Sequence, residues 1–373
     1  MASTRLDVLA YSDAAEPGGA EVALSNLLAE LPDELAVGVM GVDRQMVEWI
    51  GRHRPGSPRW TIRDASDKRD LRGLAAHMRA FRRLRPRVLH ANLRVPWACP
   101  GAIAAGLAVP GVQVVAVEQL PLPLNDGVQR RLKRIMSRRL GAHVAVGARS
   151  ARELERDIGL PHGSIQVVHN GVPERRLAEQ PRVSGGPVVG SLGRLSPQKG
   201  YDVLVRALVE LPGVHAVLVG DGDERVPLER LADELGVSER LHILGWRDDP
   251  RNHLTSFDAF VLPSRYEGFP LSIVEAMQAG LPIVASDVGS IAEALDDERA
   301  GILVEPDDPA GLARAIGDLL ADDDRRARLG AHAREVALAR HTSRAMAEGF
   351  MRLYEALGVT RPRARGAAPG PTA

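Results

Sequence analysis

Residues 258–287 read DAFVLPSRYEGFPLSIVEAMQAGLPIVASD. The apolar run that ends at Ser264 is short and bounded by Pro and Ser, which predicts a buried strand. Gly-Phe-Pro marks a turn, and a helix with apolar residues at helical spacing is expected from about Leu271. PIVASD then predicts a second strand. A strand, a helix and a strand in this order form a βα unit of a parallel sheet that is buried on both faces.

The same alternation of short β-branched runs and longer helical patterns continues along most of the chain. The predicted strands are RLDVLAYS, RVLHAN, VQVVAVE, AHVAVGA and IQVVHNG in the first half, and PVVGSLGRL, HAVLVGDG, LHILGW, DAFVLPS, PIVASD and GILVEP in the second. This pattern predicts an α/β protein with two doubly wound, Rossmann-like domains whose parallel sheets face a central cleft. Each domain is expected to place its ligand-binding groups beyond the carboxyl ends of its strands.

A chain of 373 residues suits two domains. The best boundary is the polar segment 173–187, which is rich in Pro and Gly and lacks periodicity. We therefore expect an N-terminal domain over 1–178 and a C-terminal domain over 179–345. A helix at 346–359 is expected to cross back to the N-terminal domain, and 360–373 is expected to form a disordered tail.

The composition, with 45% hydrophobic and 26% charged residues, is that of a soluble globular protein. The single cysteine, Cys99, suits a reducing cytoplasm, and the N-terminus becomes polar too soon for a signal peptide. Residues 97–117 carry no charge over the length of a spanning helix, but their Pro and Gly residues favour a buried helix, a turn and a core strand. A cytoplasmic location is expected.

The segment GSLGRLSPQKG, residues 190–200, predicts an anion site. A strand ends near Ser191, a glycine turn with Gly193 follows, and Arg194 and Lys199 flank the entry to a helix. Backbone N–H groups at a helix N-terminus add to the charge of two cations, and Arg grips phosphate oxygens in a bidentate manner. The alternative is ordinary surface charge on a loop.

Two carboxylates, Glu267 and Glu275, lie eight positions apart around the Gly-Phe-Pro turn. Glu275 is expected near the first turn of the helix, where it could accept hydrogen bonds from the two hydroxyls of a ribose. Glu267 lies one turn earlier and could meet sugar hydroxyls. The alternative for Glu275 is a first-turn acid that favours the helix dipole.

A second, weaker anion candidate follows the first predicted strand. Gly18 and Gly19 would let the backbone approach a ligand at the start of a helix. A plain βα turn uses the same residues.

The ordered set GGAE, VVHNG, GRLSPQKG, LVGDGDE, LGW and PSRYEGFPLSIVEAMQAGLPIVASDVGS resembles family 4 of the retaining, nucleotide-sugar-dependent glycosyltransferases. Members of that family have the two-domain architecture called GT-B. The resemblance runs from about residue 11 to 350. It implies that the N-terminal domain binds the acceptor and the C-terminal domain binds the nucleotide-sugar donor.

The resemblance implies catalytic roles for Arg194 and Lys199, which match the pair that neutralises the donor diphosphate, and for Glu267, the first acid of the E-x7-E element. Glu275 matches the acid that binds the ribose, and the loop after LHILGW matches the region that receives the base. The implied donor-binding residues are Gly18, Gly19, Gln119, Gly193, Gly222, Trp246, Arg247, Gly268, Phe269, Pro270, Leu271 and Glu275.

One position departs from the family pattern. Many relatives carry a His after the strand VQVVAV, whereas here the sequence reads Glu118-Gln119. A glutamine can hydrogen-bond a sugar hydroxyl but does not titrate near neutral pH. Our hypothesis is that Gln119 keeps a hydrogen-bonding role. On the acceptor side we expect Glu118, together with His90 and Asn92 at another strand end, although a lone His at that position is more often structural.

The resemblance implies no metal and no other cofactor, because the two cations stabilise the leaving diphosphate. Asp221-Gly-Asp223 matches a turn of the family rather than a metal-binding triplet. Retention of configuration is expected through attack on the face that the leaving group vacates, without a protein nucleophile.

The acceptor is expected to be a sugar, a lipid-linked or a small-molecule hydroxyl compound. Residues 1–180 carry 26 Lys and Arg against 19 Asp and Glu, and the remainder carries 22 against 29. The basic excess concentrates at 128–140, where an apolar stripe of Val128, Leu132, Ile135, Met136 and Leu140 is flanked by cations. This segment could contact an anionic membrane at the inner face. The alternative is an amphipathic core helix with a solvated basic face, and no nucleic-acid partner is expected.

Three alternatives to a transferase stay open at this stage. A dinucleotide-dependent oxidoreductase is disfavoured, because the first turn reads SDAAEPGGAE rather than G-x-G-x-x-G. A nucleotide-sugar-binding partner subunit without transferase activity is disfavoured by the intact Arg194, Lys199, Glu267 and Glu275. A GT-B epimerase acting on nucleotide sugars is the nearest enzymatic alternative.

Overall fold

The computed structural model describes residues 5–65, 70–120 and 122–360. The chain forms two compact units, one of Met1–Val117, Asp126–His143 and Ala347–Ala373 and the other of Glu118–Asn125 and Val144–Met346. The predicted domain boundaries stay predictions. The tail predicted at 360–373 lies, apart from its first residue, outside the described residues.

The first sheet has seven strands in the order β3-β2-β1-β4-β5-β6-β7. Its strands are β1 (Val8–Ser12), β2 (Val37–Gly41), β3 (Arg59–Thr61), β4 (Val88–Leu93), β5 (Gln113–Glu118), β6 (Ala142–Ala145) and β7 (Gln166–Val167). The helices between them are α1 (Gly19–Glu30), α2 (Arg44–Ile50), α3 (Leu71–Leu84), α4 (Pro100–Ala108), α5 (Gly127–Ser137) and α6 (Ala148–Ile158).

The second sheet has six strands in the order β10-β9-β8-β11-β12-β13. Its strands are β8 (Val188–Leu192), β9 (His215–Val219), β10 (Leu241–Gly245), β11 (Ala259–Leu262), β12 (Ile283–Ser286) and β13 (Ile302–Val304). The associated helices are α7 (Tyr201–Ala207), α8 (Arg225–Glu234), α9 (Leu271–Gln278), α10 (Ile291–Ala294), α11 (Pro309–Leu320), α12 (Asp323–Arg340) and α13 (Ser343–Ala356).

Both sheets are parallel and doubly wound, as the sequence predicts. In each sheet the direction of winding reverses next to the first strand, between β1 and β4 and between β8 and β11. Two successive loops diverge at such a point and leave a crevice beyond the carboxyl ends of the strands, where open α/β sheets bind ligands. All eleven segments predicted as strands contain a strand, while β2 and β3 were not predicted.

The strands around the second switch point are buried on both faces. Every residue of β8, β9 after His215, and β11 is buried, and Leu204, Leu228 and Ile316 from three flanking helices close the core. Burial on both faces explains why these strands appear in the sequence as continuous apolar runs rather than alternating patterns.

The basic helix α5 differs from an amphipathic core helix, which was the alternative to a membrane contact. Val128, Leu132 and Ile135 are exposed, at 61%, 39% and 48%. Lys133, expected on the solvated basic face, is instead buried and donates a hydrogen bond to the Pro96 carbonyl. Met136, with Leu140 after the helix, packs against the core of this unit. The helix therefore presents apolar side chains as well as cations to solvent.

In the described part of the chain, no helix has both the length and the apolar character of a membrane-spanning segment. Residues 97–117 instead form α4, a turn at Val109-Pro110-Gly111 and most of β5.

Candidate functional site

Two loops meet at the switch point of the second sheet. One follows β8, contains a 3-10 turn at Pro197–Lys199 and leads into α7; the other follows β11 and leads into α9. The backbone N–H of Arg265 donates to the Gln198 carbonyl at 2.8 Å. Gly200 adopts φ +61°, and a Cβ there would lie 2.1 Å from the Pro263 carbonyl oxygen. Only glycine permits this approach, so the two loops are held in backbone contact.

A charged pair joins the two loops. Lys199 Nζ lies 2.6 Å from Glu267 Oε1, and Ser264 Oγ donates to the same oxygen at 2.8 Å. The two side chains are only 15% and 6% exposed. Burial alone would lower the pKa of Lys199, but the Glu267 carboxylate outweighs it and raises that pKa above its ordinary value. The ammonium is therefore fixed and charged at the mouth of the crevice.

Arg194 lies on the same loop and is exposed. Its neighbours Gly193 and Leu195 donate backbone hydrogen bonds to Val219, the last residue of β9, and to Asp221 in the loop that follows. Gly220 and Gly222 have φ +152° and +158°, and a Cβ at either would approach the carbonyl oxygen of Gly193 or Leu195 to 1.9 or 2.2 Å. This packing of backbone on backbone explains the glycines of the predicted LVGDGDE turn.

Glu275 lies in the second turn of α9, rather than near its first turn as expected, so a role at the helix dipole does not account for it. Burial raises its pKa, against the opposing effect of Arg251 and Arg175. Arg251 Nε lies 3.8 Å from Glu275 Oε1, and its other nitrogens donate to Pro173 O and Gln278 Oε1. Arg251 is thus anchored beside the Glu275 carboxylate and forms an ion pair with it, which the sequence did not reveal.

The segment Gly268–Leu271 connects the pair to α9. Pro270 caps the helix and Leu271 is its first residue. A Cβ at Gly268 would lie 2.0 Å from the Gln119 carbonyl oxygen, so Gln119 packs directly against this segment. The Phe269 side chain is buried and stacks on His169 with a centroid distance of 4.8 Å.

The polar groups of Gln119 and Phe269 are joined by Asn170. The Asn170 Nδ2 atom donates to Gln119 Oε1 at 2.9 Å and to the Phe269 carbonyl at 3.3 Å. His169 bonds Glu293 through Nε2 at 2.5 Å. Both His169 and Asn170 belong to the VVHNG motif, for whose residues the sequence predicted no roles. The sequence signal for a functional role was that two polar side chains, His169 and Asn170, lie at the end of a predicted strand.

Trp246 and Arg247 follow β10 at the same edge of the sheet. Trp246 is 68% exposed, and its carbonyl accepts a hydrogen bond from Arg247. An exposed aromatic ring beside a guanidinium can stack on a planar base. The structure thus brings the predicted C-terminal residues to the carboxyl edge of one sheet.

In the first unit, Gly18 caps α1 and Gly19 begins it. A Cβ at Gly19 would meet no atom within 4 Å, so protein packing does not explain this glycine. Asn92 is fully buried, and its Nδ2 donates to the Ala20 carbonyl at 3.0 Å. Asn92 therefore ties the start of α1 to β4.

His90 lies inside β4 rather than at its end, and it is buried. Its Nδ1 lies 2.6 Å from the Tyr354 hydroxyl, and its ring packs against Phe350 at 5.0 Å. Burial lowers the pKa of His90 to about 3. A buried, hydrogen-bonded ring of this kind agrees with a structural role for His90, which was the alternative to a role on the acceptor side. Glu118, the last residue of β5, is also fully buried.

Within the described residues, no group of three or more His, Cys, Asp or Glu side chains is placed to hold a metal ion. Asp221 bonds the Gly222 N–H and pairs with Arg225. The expectation that the reaction needs no metal stays a prediction.

Comparison with known proteins agrees with this geometry. Residues 17–176 match the family described as Glycosyltransferase Family 4, and residues 174–336 match Glycosyl transferases group 1. The two matches together span most of the chain. The chain therefore belongs to the family 4, or group 1, glycosyltransferases, which have the GT-B architecture.

Among curated relatives, a lipopolysaccharide core biosynthesis glycosyltransferase, LpsE of Rhizobium meliloti (strain 1021), is 36% identical over 51% of this chain and 57% of its own length. A D-inositol 3-phosphate glycosyltransferase of Nocardia farcinica (strain IFM 10152) is 36% identical over 57% of this chain and 52% of its own. The chain spans about half the length of these curated relatives.

Among solved structures, Anabaena Alr3699/HepE in complex with UDP and glucose superposes with a TM-score of 0.81 at 22% identity, covering 94% of this chain and 100% of that one. The apo form of the lipopolysaccharide outer core galactosyltransferase WaaB gives a TM-score of 0.72 at 17% identity, covering 93% and 98%. These likenesses concern the fold.

Proposed function

We propose that this protein is a retaining glycosyltransferase of the hexosyltransferase type, which moves a sugar from a nucleotide-diphosphate sugar to an acceptor hydroxyl. The observation that carries the proposal is the buried Lys199–Glu267 pair at the switch point of the second sheet, with Arg194 on the same loop. A fixed ammonium and a guanidinium at that edge suit a diphosphate. Glu275, one helical turn beyond the loop, suits the ribose.

The chemistry follows from these charges. The bond between the anomeric carbon and the diphosphate oxygen breaks, and its electron pair passes to that oxygen. Lys199 and Arg194 stabilise the charge that develops there. The acceptor oxygen bonds the anomeric carbon on the vacated face and gives its proton to the leaving phosphate. The protein supplies no nucleophile, and the two cations take the role that a metal ion has in other transferases.

Gln119 and Glu267 are assigned to the transferred sugar. Gln119 lies against Gly268 and can hydrogen-bond a sugar hydroxyl. Glu267 is held through one oxygen by Lys199 and Ser264. Trp246 and Arg247 are assigned to the base.

Nucleotide binding is tested by thermal denaturation with UDP, GDP and ADP and their hexose conjugates. A ligand at a hundredfold excess over its Kd stabilises the folded state by about 2.7 kcal/mol. For units of this size that corresponds to a rise in Tm of roughly 5 to 10 °C. Uridine, guanosine and adenosine, which lack the diphosphate, serve as controls and should give a much smaller shift. If no nucleotide diphosphate shifts the Tm, the proposal is wrong.

Turnover then separates the three nucleotide-sugar functions. A transferase releases nucleotide diphosphate when an acceptor panel is added, and the product keeps the anomeric configuration of the donor. A binding subunit shows the thermal shift without release, and an epimerase converts the donor sugar without needing an acceptor.

The exposed face of α5 favours a membrane-associated acceptor. Val128, Leu132 and Ile135 share this face with Arg131 and Arg138, all of them exposed. Apolar side chains among cations bind the headgroup region of anionic bilayers. We therefore propose a cytoplasmic protein that contacts the inner face of the membrane through 128–140, with a lipid-linked acceptor favoured over a free sugar or small molecule.

A further inference from the structure

Asn170 follows β7 and is 5% exposed. Its Nδ2 atom makes two hydrogen bonds, to Gln119 Oε1 at 2.9 Å and to the Phe269 backbone carbonyl at 3.3 Å. An amide nitrogen carries two hydrogens, so both are engaged. The bonds connect three separate segments of the same unit.

These bonds define the direction of both side-chain amides. A backbone carbonyl can only accept, so the Asn170 atom that faces Phe269 must be the nitrogen. The same nitrogen faces Gln119, and the Gln119 atom opposite it must therefore be an acceptor, Oε1. Rotation of the Gln119 amide by half a turn would bring two N–H groups together. Nε2, the donor half of Gln119, is consequently directed away from Asn170.

The surroundings keep this arrangement rigid. The Gln119 backbone packs on Gly268, and the Phe269 ring is clamped by His169, whose Nε2 bonds Glu293 at 2.5 Å. His341, also buried, packs against both rings, with centroid distances of 5.1 Å to Phe269 and 5.3 Å to His169. The Phe269 carbonyl that orients Asn170 is therefore itself held in place.

We propose that Asn170 is a positioning residue that fixes the polarity of Gln119, so that Gln119 offers an N–H donor to the transferred sugar. This inference rests on the proposed function, in which Gln119 contacts that sugar. A site that directs an N–H toward the sugar favours a sugar with an oxygen at that position over a deoxy analogue, because the oxygen accepts a hydrogen bond that the deoxy analogue cannot accept.

Asn170→Asp tests the proposal with almost no change of shape. The new carboxylate can only accept, so Gln119 turns its Nε2 toward it and presents Oε1 to the sugar. We expect kcat/KM for the sugar donor to fall about 10- to 100-fold, and the Kd of the nucleoside diphosphate without sugar to stay within about twofold. Asn125→Asp, at an exposed amide of the same unit, is the matched charge control.

Gln119→Glu is the second variant and covers the case in which Asn170→Asp does not fold. A glutamate still accepts the Asn170 bond but has no N–H for the sugar, so the same selective loss of sugar-donor activity is expected. Both variants are measured with UDP and UDP-glucose and with GDP and GDP-mannose, using the pair that binds the wild-type protein.

Three results would overturn the proposal. One is wild-type kcat/KM in a folded Asn170→Asp or Gln119→Glu protein. Another is an equal loss of affinity for the nucleoside diphosphate and its sugar conjugate, which would indicate a general disturbance of the site. If the wild-type protein binds none of UDP, GDP and ADP or their hexose conjugates, the proposed function fails and this inference fails with it.

Discussion

Lys199 and Glu267 are 68 positions apart in the chain, yet Nζ of the first lies 2.6 Å from Oε1 of the second. The contact joins the loops after β8 and β11, the two strands at which the second sheet reverses its order. A buried charge pair adds little to the stability of the fold, because the desolvation of both groups offsets their attraction. Its position instead suits a ligand with a diphosphate and a sugar.

Arg194→Ala should reduce turnover by about 10²- to 10³-fold, the usual cost of removing one group that stabilises developing charge. Because Arg194 is exposed, the Tm should change little. Steady-state kinetics and thermal denaturation check the two parts. Arg206→Ala removes an exposed arginine from neighbouring α7 and is the control. Wild-type kcat in Arg194→Ala would contradict the role of this residue.

Lys199→Met should abolish turnover and also destabilise the protein, because Glu267 would keep a buried charge with only the Ser264 hydroxyl as partner. The double variant Lys199→Met/Glu267→Gln removes both charges. Its free energy of unfolding should recover toward the wild-type value while its activity stays lost. Activity that recovers together with stability would show that the pair is purely structural.

Glu275→Gln should weaken the binding of a nucleoside diphosphate roughly 10- to 100-fold, since a charged acceptor for two hydroxyls is replaced by a neutral amide with a single acceptor oxygen. The binding of inorganic diphosphate, which has no ribose, should not change. Calorimetric titration of both ligands makes this comparison. An equal loss for the two ligands would place Glu275 at the phosphates instead of the ribose.

Gly268→Ala should destabilise the second unit by about 1 to 3 kcal/mol and abolish activity, because the new methyl group would lie 2.0 Å from a backbone oxygen of Gln119. Gly56→Ala, where nothing lies within 4 Å, should leave stability unchanged. Urea unfolding measures both variants. A Gly268→Ala protein with wild-type stability would disprove the close packing of Gln119 on Gly268.

Acid should destabilise the fold through His341. Burial lowers the pKa of His341 to about 4, whereas the unfolded chain protonates near the ordinary value of 6.5. Its contribution is therefore fully present above pH 6.5 and is lost as the pH falls toward 4, by about 3 kcal/mol. In His341→Leu the loss of stability between pH 7 and pH 4.5 should be smaller than in the wild type. The exposed His162→Leu control should show the wild-type loss.

Sequence patterns predicted the second sheet well because its inner strands are buried on both faces and appear as uninterrupted apolar runs. They did not predict β2 and β3. The strand β2 contains Gly38, where a Cβ would lie 2.6 Å from the Trp60 ring of β3. The glycine makes room for the tryptophan, but glycine weakens the strand signal. The short edge strand β3 is half-exposed and lacks any apolar run.

Loop positions of the site residues were predictable, whereas their contacts were not. The sequence placed Arg194, Lys199 and Glu267 at strand ends, but the pairing of Lys199 with Glu267 depends on strand order. For α5 the periodicity left two interpretations open, a helix that contacts a membrane and a core helix with a solvated basic face. In the structure Lys133 donates to the Pro96 carbonyl and Val128 and Leu132 are exposed, which departs from the second interpretation.

The exposed face of α5 should bind anionic vesicles at low salt. Leu132→Glu/Ile135→Glu should abolish co-sedimentation with vesicles that contain phosphatidylglycerol without lowering the Tm, since both side chains are already exposed. Val209→Glu/Val226→Glu introduces the same two charges at exposed valines of the second unit and should bind as the wild type does. If the wild-type protein stays in the supernatant, the proposed membrane contact through 128–140 is wrong.

The central claim is that the loops after β8 and β11 hold the diphosphate of a nucleotide sugar. A crystal structure of the protein with a nucleoside diphosphate tests it most directly. We expect phosphate oxygens within hydrogen-bonding distance of Lys199 Nζ and the Arg194 guanidinium, with the ribose hydroxyls on Glu275. A nucleotide bound away from the carboxyl edge of the second sheet would contradict the account.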